Sequence, residues 1–156
     1  MALEIERKFL VLLDRWNQIK SNHQKQIRQG YLSTDPEKTI RVRISGKDAF
    51  LTIKGKNEGA VRSEFEYAIP MEDATTLLNH MCTGELSKVR HLIPHGNHTW
   101  EVDVFSGKNE GLIVAEIELQ SENEDFEKPE WLGEEVTHDN RYFNSNLVKT
   151  PFCEWG

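Results

Sequence analysis

Charged residues recur at a spacing of two along this chain, and alternate residues of an extended strand share one face. In Leu3-Glu4-Ile5-Glu6-Arg7-Lys8-Phe9-Leu10, Glu4, Glu6 and Lys8 fall on one side, with Ile5 and Phe9 opposite. The pattern returns at Arg41/Arg43, Glu64/Glu66, Lys88/Arg90, Glu101/Asp103 and Glu116/Glu118, and Lys54 shares its face with Thr52. The signs are segregated by strand: acids pair at 4/6, 64/66, 101/103 and 116/118, and bases gather at 41/43, 54 and 88/90. A half-buried sheet with one wet face explains any single strand. A solubilising surface, however, tends to intersperse its signs.

Eight stretches read as strands: 4–12, 28–33, 39–45, 49–56, 61–69, 86–93, 99–105 and 112–120. Turn residues separate them, at Asp35-Pro36, Ser45-Gly46-Lys47-Asp48, Gly55 to Gly59, His95-Gly96-Asn97 and Ser106-Gly107. Links this short make neighbouring strands antiparallel. Helical spacing is rarer. Asp14 can cap a segment carrying Trp16 and Ile19, 71–81 places Ala74, Leu77, Leu78 and Met81 together, and a last helix is expected from about Asp139, presenting Tyr142, Phe143 and Leu147. The acidic stretch 121–130 reads as a solvated helix or loop. The fold class is therefore α+β: one domain over 1–156, with an eight-stranded antiparallel β-barrel expected because closure removes exposed edges. A few helices should pack outside and at one end.

A chain of 156 residues with net charge −7 is large enough for one real core, and its acidity argues against a nucleic-acid footprint. Glu4, Glu6 and Arg7 stand where a signal peptide needs an apolar run, and no segment has membrane-spanning length. Cys82 and Cys153 lack metal-ligand spacing and read as reduced thiols. A cytoplasmic protein without a membrane partner is expected. The sequence leaves a homodimer open.

If the charged face turns inward, the lumen holds eight carboxylates and six cations. Such a lumen is costly to desolvate without ligands. Hard carboxylate oxygens suit Mg²⁺ or Mn²⁺, and arginine and lysine suit phosphate. The combination describes a site for a compact polyphosphate. Neither G-x-x-x-x-G-K nor G-x-G-x-x-G occurs, so side chains must hold the phosphates.

The ordered set Glu4-Ile5-Glu6-Arg7-Lys8, Arg28-Gln29-Gly30-Tyr31-Leu32, Arg41-Val42-Arg43, Leu51-Thr52-Ile53-Lys54, Glu64-Phe65-Glu66, Lys88-Val89-Arg90, Glu101-Val102-Asp103 and Glu116-Ile117-Glu118 resembles the CYTH, or triphosphate tunnel metalloenzyme, superfamily. The tail 131–137 resembles its short bacterial members. The resemblance implies a tunnel taking triphosphate-bearing small molecules with a divalent metal, Mg²⁺ or Mn²⁺. It implies that Glu4, Glu6, Glu116 and Glu118 hold metal, with Glu64, Glu66, Asp103 and Glu101 as second-metal or ordering groups. Lys8, Arg41, Arg43, Lys54 and Arg90 would grip phosphates. Lys88 is the proton-transfer candidate with Tyr31 as its partner, and pure charge stabilisation is the alternative for Lys88. The implied reaction is hydrolysis of tripolyphosphate to pyrophosphate and phosphate, by in-line attack of water with metal neutralising developing charge. Nucleoside or thiamine triphosphate hydrolysis, cyclisation of ATP, and polyphosphate binding without turnover are the other readings.

His91, His95 and His98 span a turn and would not converge on a metal. Arg7 has the wrong parity for the lumen, while Lys56 and Arg62 are placed at its mouth. Trp16, Trp131, Phe143 and Trp155 read as packing residues.

Overall fold

The computed structural model describes residues 3–21 and 23–156. Its strands are β1 (Leu3–Val11), β2 (Gln24–Ser33), β3 (Lys38–Ser45), β4 (Asp48–Gly55), β5 (Val61–Ala68), β6 (Glu85–His95), β7 (His98–Phe105), β8 (Ile113–Glu118) and β9 (Leu132–Glu135). The helices are α1 (Leu13–Trp16), α2 (Met71–His80) and α3 (Asn144–Leu147). Strands run in the order β5-β4-β3-β2-β6-β7-β8-β1, and β5 pairs with β1 to close an eight-stranded barrel. All the pairings are antiparallel. Tight hairpins set the registers of β3–β4 and β6–β7. Gly46 (φ 60°) and Gly96 (φ 62°) supply the left-handed backbone that such turns require.

One edge of β1 pairs with β8 from Glu6 to Leu10. The other edge changes partner. Leu3 to Ile5 pair with β5, and β9 then takes over at Phe9 and Val11. β9 is a ninth strand outside the barrel that the sequence pattern did not predict, being four residues long with Gly133 inside it. β2 begins at Gln24, four residues before its predicted start. Gln24-Lys25-Gln26 carries no apolar alternation, but β6 supplies a ladder through His91, Arg90 and Val89. The helix read from Asp14 is a single turn starting at Leu13, and Ile19 lies beyond it. The last predicted helix is a 3-10 turn, Asn140–Tyr142, followed by the four-residue α3. The acidic stretch 121–130 contains no helix. Among the described residues no helix is long and apolar enough to cross a membrane.

Outside the barrel, Phe9, Trp100, Val102, Ala115 and Ile117 pack under Trp16, Trp131 and Phe126. Aromatic pairs meet edge to face there, with Trp100 and Trp131 centroids 5.7 Å apart. A second apolar layer seats α2 on β3 and β4 through Val42, Ala49, Ala74 and Leu78. Phe65 and Tyr67, on the outer face of β5, stay exposed. At one end of the lumen the inward rows turn apolar, at Leu86, Phe105 and Val114. Tyr142 and Leu147 pack on them, so the C-terminal segment fills that end.

Gly30 marks the closest approach of the chain to this scaffold. A Cβ there would stand 2.8 Å from the Gly84 carbonyl oxygen and 2.9 Å from a Leu78 methyl. Gly30→Ala is expected to destabilise the fold by about 1–3 kcal/mol, through overpacking against backbone that cannot yield. Urea denaturation measures this, and an unchanged midpoint would contradict the contact.

Candidate active site

Strand parity and closure put the charged rows inside, around a cavity of about 350 Å³. Seven carboxylates line it: Glu4, Glu6, Glu64, Glu66, Glu101, Glu116 and Glu118. Seven cations join them: Lys8, Lys25, Arg41, Arg43, Lys54, Arg62 and Arg90. Two expected lining residues, Asp103 and Lys88, instead sit within the wall with no exposed surface. Lys25 takes a place that the strand pattern did not give it, and Arg62, expected at the mouth, lines the cavity beside Glu64.

The acids divide by environment. Oxygens of Glu6, Glu101 and Glu116 lie within 4.8 Å of one another. No cation within salt-bridge distance serves Glu6 among the described residues. Burial and then the neighbouring Glu116 and Glu4 push its carboxyl well above the ordinary range. Glu116 behaves oppositely. Burial raises it, but Lys8, Arg90 and Lys88 outweigh that and hold it far below the usual carboxylate range. Glu4 receives both of its hydrogen bonds from Lys54 Nζ, at 3.0 Å each. Burial opposes ionisation of Glu4, yet Lys54 and Arg41 hold it at about 2. Glu64 shares that lysine at 3.3 Å, and burial together with Glu4 lifts its carboxyl to about 7. Glu66 and Glu118 are exposed on the cavity wall.

The cations also divide. Arg90 is paired with acids: its Nε and one terminal nitrogen donate to Asp103 at 2.8 and 2.9 Å, and the other donates to Glu101 at 3.1 Å. Lys8 donates to the Tyr142 carbonyl at 3.2 Å and lies 3.8 Å from Glu116. Arg41 and Arg43 have no carboxylate within 4.0 Å among the described residues. The Nε of Arg41 is buried without an acceptor, and its guanidinium makes one 3.3 Å contact to Thr52. Arg43 donates to the Gln29 carboxamide at 2.9 Å; burial, Arg41 and Arg90 draw its guanidinium down to about 9. Unpaired acids and unpaired arginines thus face one cavity, a charge distribution that a metal-bound polyanion neutralises on both sides.

Lys88 and Tyr31, expected to act together, do not touch. Lys88 Nζ lies 2.8 Å from Asp103 and donates to Asn144 Oδ1 at 2.9 Å. Burial lowers its ammonium to about 7, against the pull of Asp103 and with Arg90 and Arg43 adding to the effect. Tyr31 accepts a hydrogen bond from Gln29 Nε2 at 3.2 Å, and Gln29 links it to Asn144. Gln29 lies on β2 at lumen parity but carries no charge to signal it. Asn144 lies outside any strand, so parity could not find it.

Of the residues read as peripheral, all but Arg62 lie on the outside. Arg7 forms a fork with Glu135 at 2.9 and 2.7 Å. Lys56 reaches Glu37 at the surface. His95 and His98 meet Glu127 and Glu124 of the acidic loop, and His91 packs edge-on to Trp16, so the three do not converge. Arg62 lines the cavity, donating to the Gly55 carbonyl and Thr39.

These carboxyl shifts fix a pH dependence. Glu64 keeps its proton in the fold up to about 7 but loses it near 4.5 when unfolded, so the folded state holds more protons in that window. Stability of the metal-free protein is therefore expected to fall as pH rises from about 4.5 to about 7. Glu4 acts in the opposite sense, but only below its ordinary 4.5. A divalent cation held by Glu6, whose carboxyl is likewise pushed well above its ordinary range, competes with a proton and should bind more tightly with rising pH. Melting curves across pH with EDTA or Mg²⁺ test both statements; a metal-free stability that climbs through the window would contradict them.

A CYTH domain profile matches residues 2–150. An inorganic triphosphatase of Acetivibrio thermocellus is 45% identical over 153 residues, 97% of each chain. One of Nitrosomonas europaea is 36% identical over 150 residues, covering 93% of this chain and 96% of the relative. A crystal structure of an inorganic triphosphatase superposes with a TM-score of 0.65 at 34% identity, over 93% of this chain and 97% of that one. A putative adenylate cyclase of Bacillus halodurans shares the fold alone, at 20% identity and a TM-score of 0.61 over 78% of this chain and 84% of that one.

Proposed function

The chain belongs to the CYTH domain family, and on that premise we propose that it is an inorganic triphosphatase, hydrolysing tripolyphosphate to pyrophosphate and phosphate. The observation that carries this reading is a juxtaposition across one cavity: Arg41 and Arg43 without carboxylates, and Glu6, Glu101 and Glu116 crowded within 4.8 Å, Glu6 with no cation beside it among the described residues. The relatives named inorganic triphosphatase support it over nearly their whole length.

Family membership implies a divalent metal, and the donor set fits one. Three carboxylates converge, burial and the neighbouring Glu116 and Glu4 push the Glu6 carboxyl well above its ordinary range, and all donors are hard oxygens. We assign Glu6, Glu101 and Glu116 to hold Mg²⁺ or Mn²⁺, with Glu4 and Glu118 beside them. When bound, the metal would offset charge on phosphoryl oxygens and acidify an attacking water. The chain's own residues do the rest. Arg41 and Arg43 bind and orient the phosphate chain as charge-assisted donors, with Lys8 adding charge from the closed end. Arg90 and Asp103 hold the acid cluster in place. Lys54 spaces Glu4 from Glu64, and Glu66, at the exposed wall, completes the acidic rim. The position of Lys88 within the wall supports an ordering role, because its Nζ is fully buried and donates to Asn144, which lines the cavity where Lys88 does not.

Two unpaired thiols, Cys82 and the exposed Cys153, support a cytoplasmic setting. The test is phosphate release from tripolyphosphate, ATP, GTP and thiamine triphosphate, each with Mg²⁺, Mn²⁺ or EDTA. Metal-dependent turnover favouring tripolyphosphate is expected. Preference for a nucleotide, or formation of cyclic AMP, would replace the substrate assignment, and binding without turnover would make the protein a polyphosphate binder.

A further inference from the structure

Asn144 is the one carboxamide of the C-terminal segment that lines the cavity. It opens α3, directly after Phe143, whose ring covers Lys8 Nζ at 5.4 Å. Its Oδ1 accepts from Lys88 Nζ at 2.9 Å and from Gln29 Nε2 at 3.4 Å. A lysine ammonium donates and cannot accept, so the atom facing Lys88 must be the oxygen, and the amide orientation is chemically fixed. The Nδ2 donors are left over. They bond to nothing among the described residues, and Asn144 is only half-buried. Gln29 joins this amide to Arg43, because its own oxygen accepts from Arg43 Nε at 2.9 Å. The spare donors of Asn144 therefore belong to the same hydrogen-bonded chain as an arginine that lacks a counter-charge.

We propose that Asn144 is a phosphate-binding residue of the cavity floor. Its Nδ2 donates to a phosphate oxygen of the bound polyphosphate, while Lys88 acts as a positioning residue that locks the amide by holding its oxygen. This inference rests on the triphosphatase reading and extends it. It also accounts for the buried ammonium, since Lys88, already 2.8 Å from Asp103, directs a second donor at Asn144 rather than reaching the cavity itself. A neutral donor in this place adds phosphate recognition without further crowding the unpaired arginines.

The discriminating variant is Asn144→Asp. A carboxylate still accepts from Lys88 and Gln29, so the floor stays anchored, but it has no N–H to give and turns a negative charge toward the phosphates. Asn144→Ala removes the anchor as well. For Asn144→Asp we expect an unchanged or higher melting temperature. KM for tripolyphosphate, and Kd for tripolyphosphate in EDTA by calorimetry, should rise about tenfold or more. Asn144→Ala should lose both stability and affinity. Wild-type KM and Kd in Asn144→Asp would overturn the proposal, leaving Asn144 a structural part of the floor. A melting temperature lowered as far as in Asn144→Ala would overturn the locked-amide geometry. Wild-type protein that binds tripolyphosphate without cleaving it removes the hydrolytic reading, but leaves the Kd comparison to decide on Asn144. Wild-type protein that binds none overturns both readings.

Discussion

Glu116→Gln is expected to reduce tripolyphosphate hydrolysis by about two orders of magnitude or more, with the fold retained. Glu116 is the buried member of the acid cluster, and it holds Lys8 at 3.8 Å and Arg90 at 3.9 Å. Glutamine preserves volume but removes a carboxylate that Lys8, Arg90 and Lys88 hold far below the usual range. It also removes a charge that pushes the Glu6 carboxyl upward, so Glu6 should titrate nearer its ordinary value. Steady-state phosphate release over a Mg²⁺ titration reads the loss, and a denaturation curve shows that folding survives. Glu66→Gln is the control, since Glu66 is exposed and has no ion pair among the described residues. Equal losses in the two variants, or wild-type metal dependence in Glu116→Gln, would refute the assignment of the metal cluster.

Arg41→Met should change activity and stability in opposite directions. Arg41 is 7% exposed, has no carboxylate partner among the described residues and leaves Nε without an acceptor. An unpaired buried guanidinium costs the fold free energy, and a methionine of similar length fills the space without it. The ligand-free protein is expected to gain about 1 kcal/mol. Loss of a charge-assisted grip on phosphate should cost about 1.5–3 kcal/mol of transition-state binding, or about ten- to a hundredfold in kcat/KM. Tripolyphosphate should also stabilise the variant less than the wild type, since ligand-induced stabilisation follows affinity. A destabilised variant with normal kcat/KM would mean that Arg41 serves the scaffold and not the substrate.

The barrel and most of its charged lining were legible because strand parity has a period of two and closure leaves only one inside. Glu4, Glu6, Arg41, Arg43, Glu64, Glu66, Glu101 and Glu116 follow from that rule alone. Parity says that a side chain points inward but not how deep it lies. Lys88 and Asp103 obey the rule and still end within the wall, where the lumen narrows against Phe105. Nor does parity reveal which charges neutralise one another, because that depends on the stagger between strands. The register Lys8↔Glu116↔Glu101 gathers the acid cluster, while Arg90↔Asp103 ties one edge of a cavity arginine to a buried carboxylate. Asn144 and β9 were invisible for a different cause: a four-residue helix and a four-residue strand have too few residues to show a period.

The changing edge of β1 bears on how the chain matures during synthesis. β1 carries Glu4, Glu6 and Lys8, yet its partners β5, β8 and β9 are all translated after it, with Glu6 facing Glu118 and Phe9 facing Glu135. Hairpins β3–β4 and β6–β7 can form as soon as they leave the ribosome, because their contacts are local. The seam cannot. A nascent chain stopped before β8 would hold the arginine strands in place, with their acids still apart and the first strand unpaired along an edge. The reaction chamber is thus assembled in one late step, and a truncated product should be not a weaker enzyme but a silent one with an open, aggregation-prone edge.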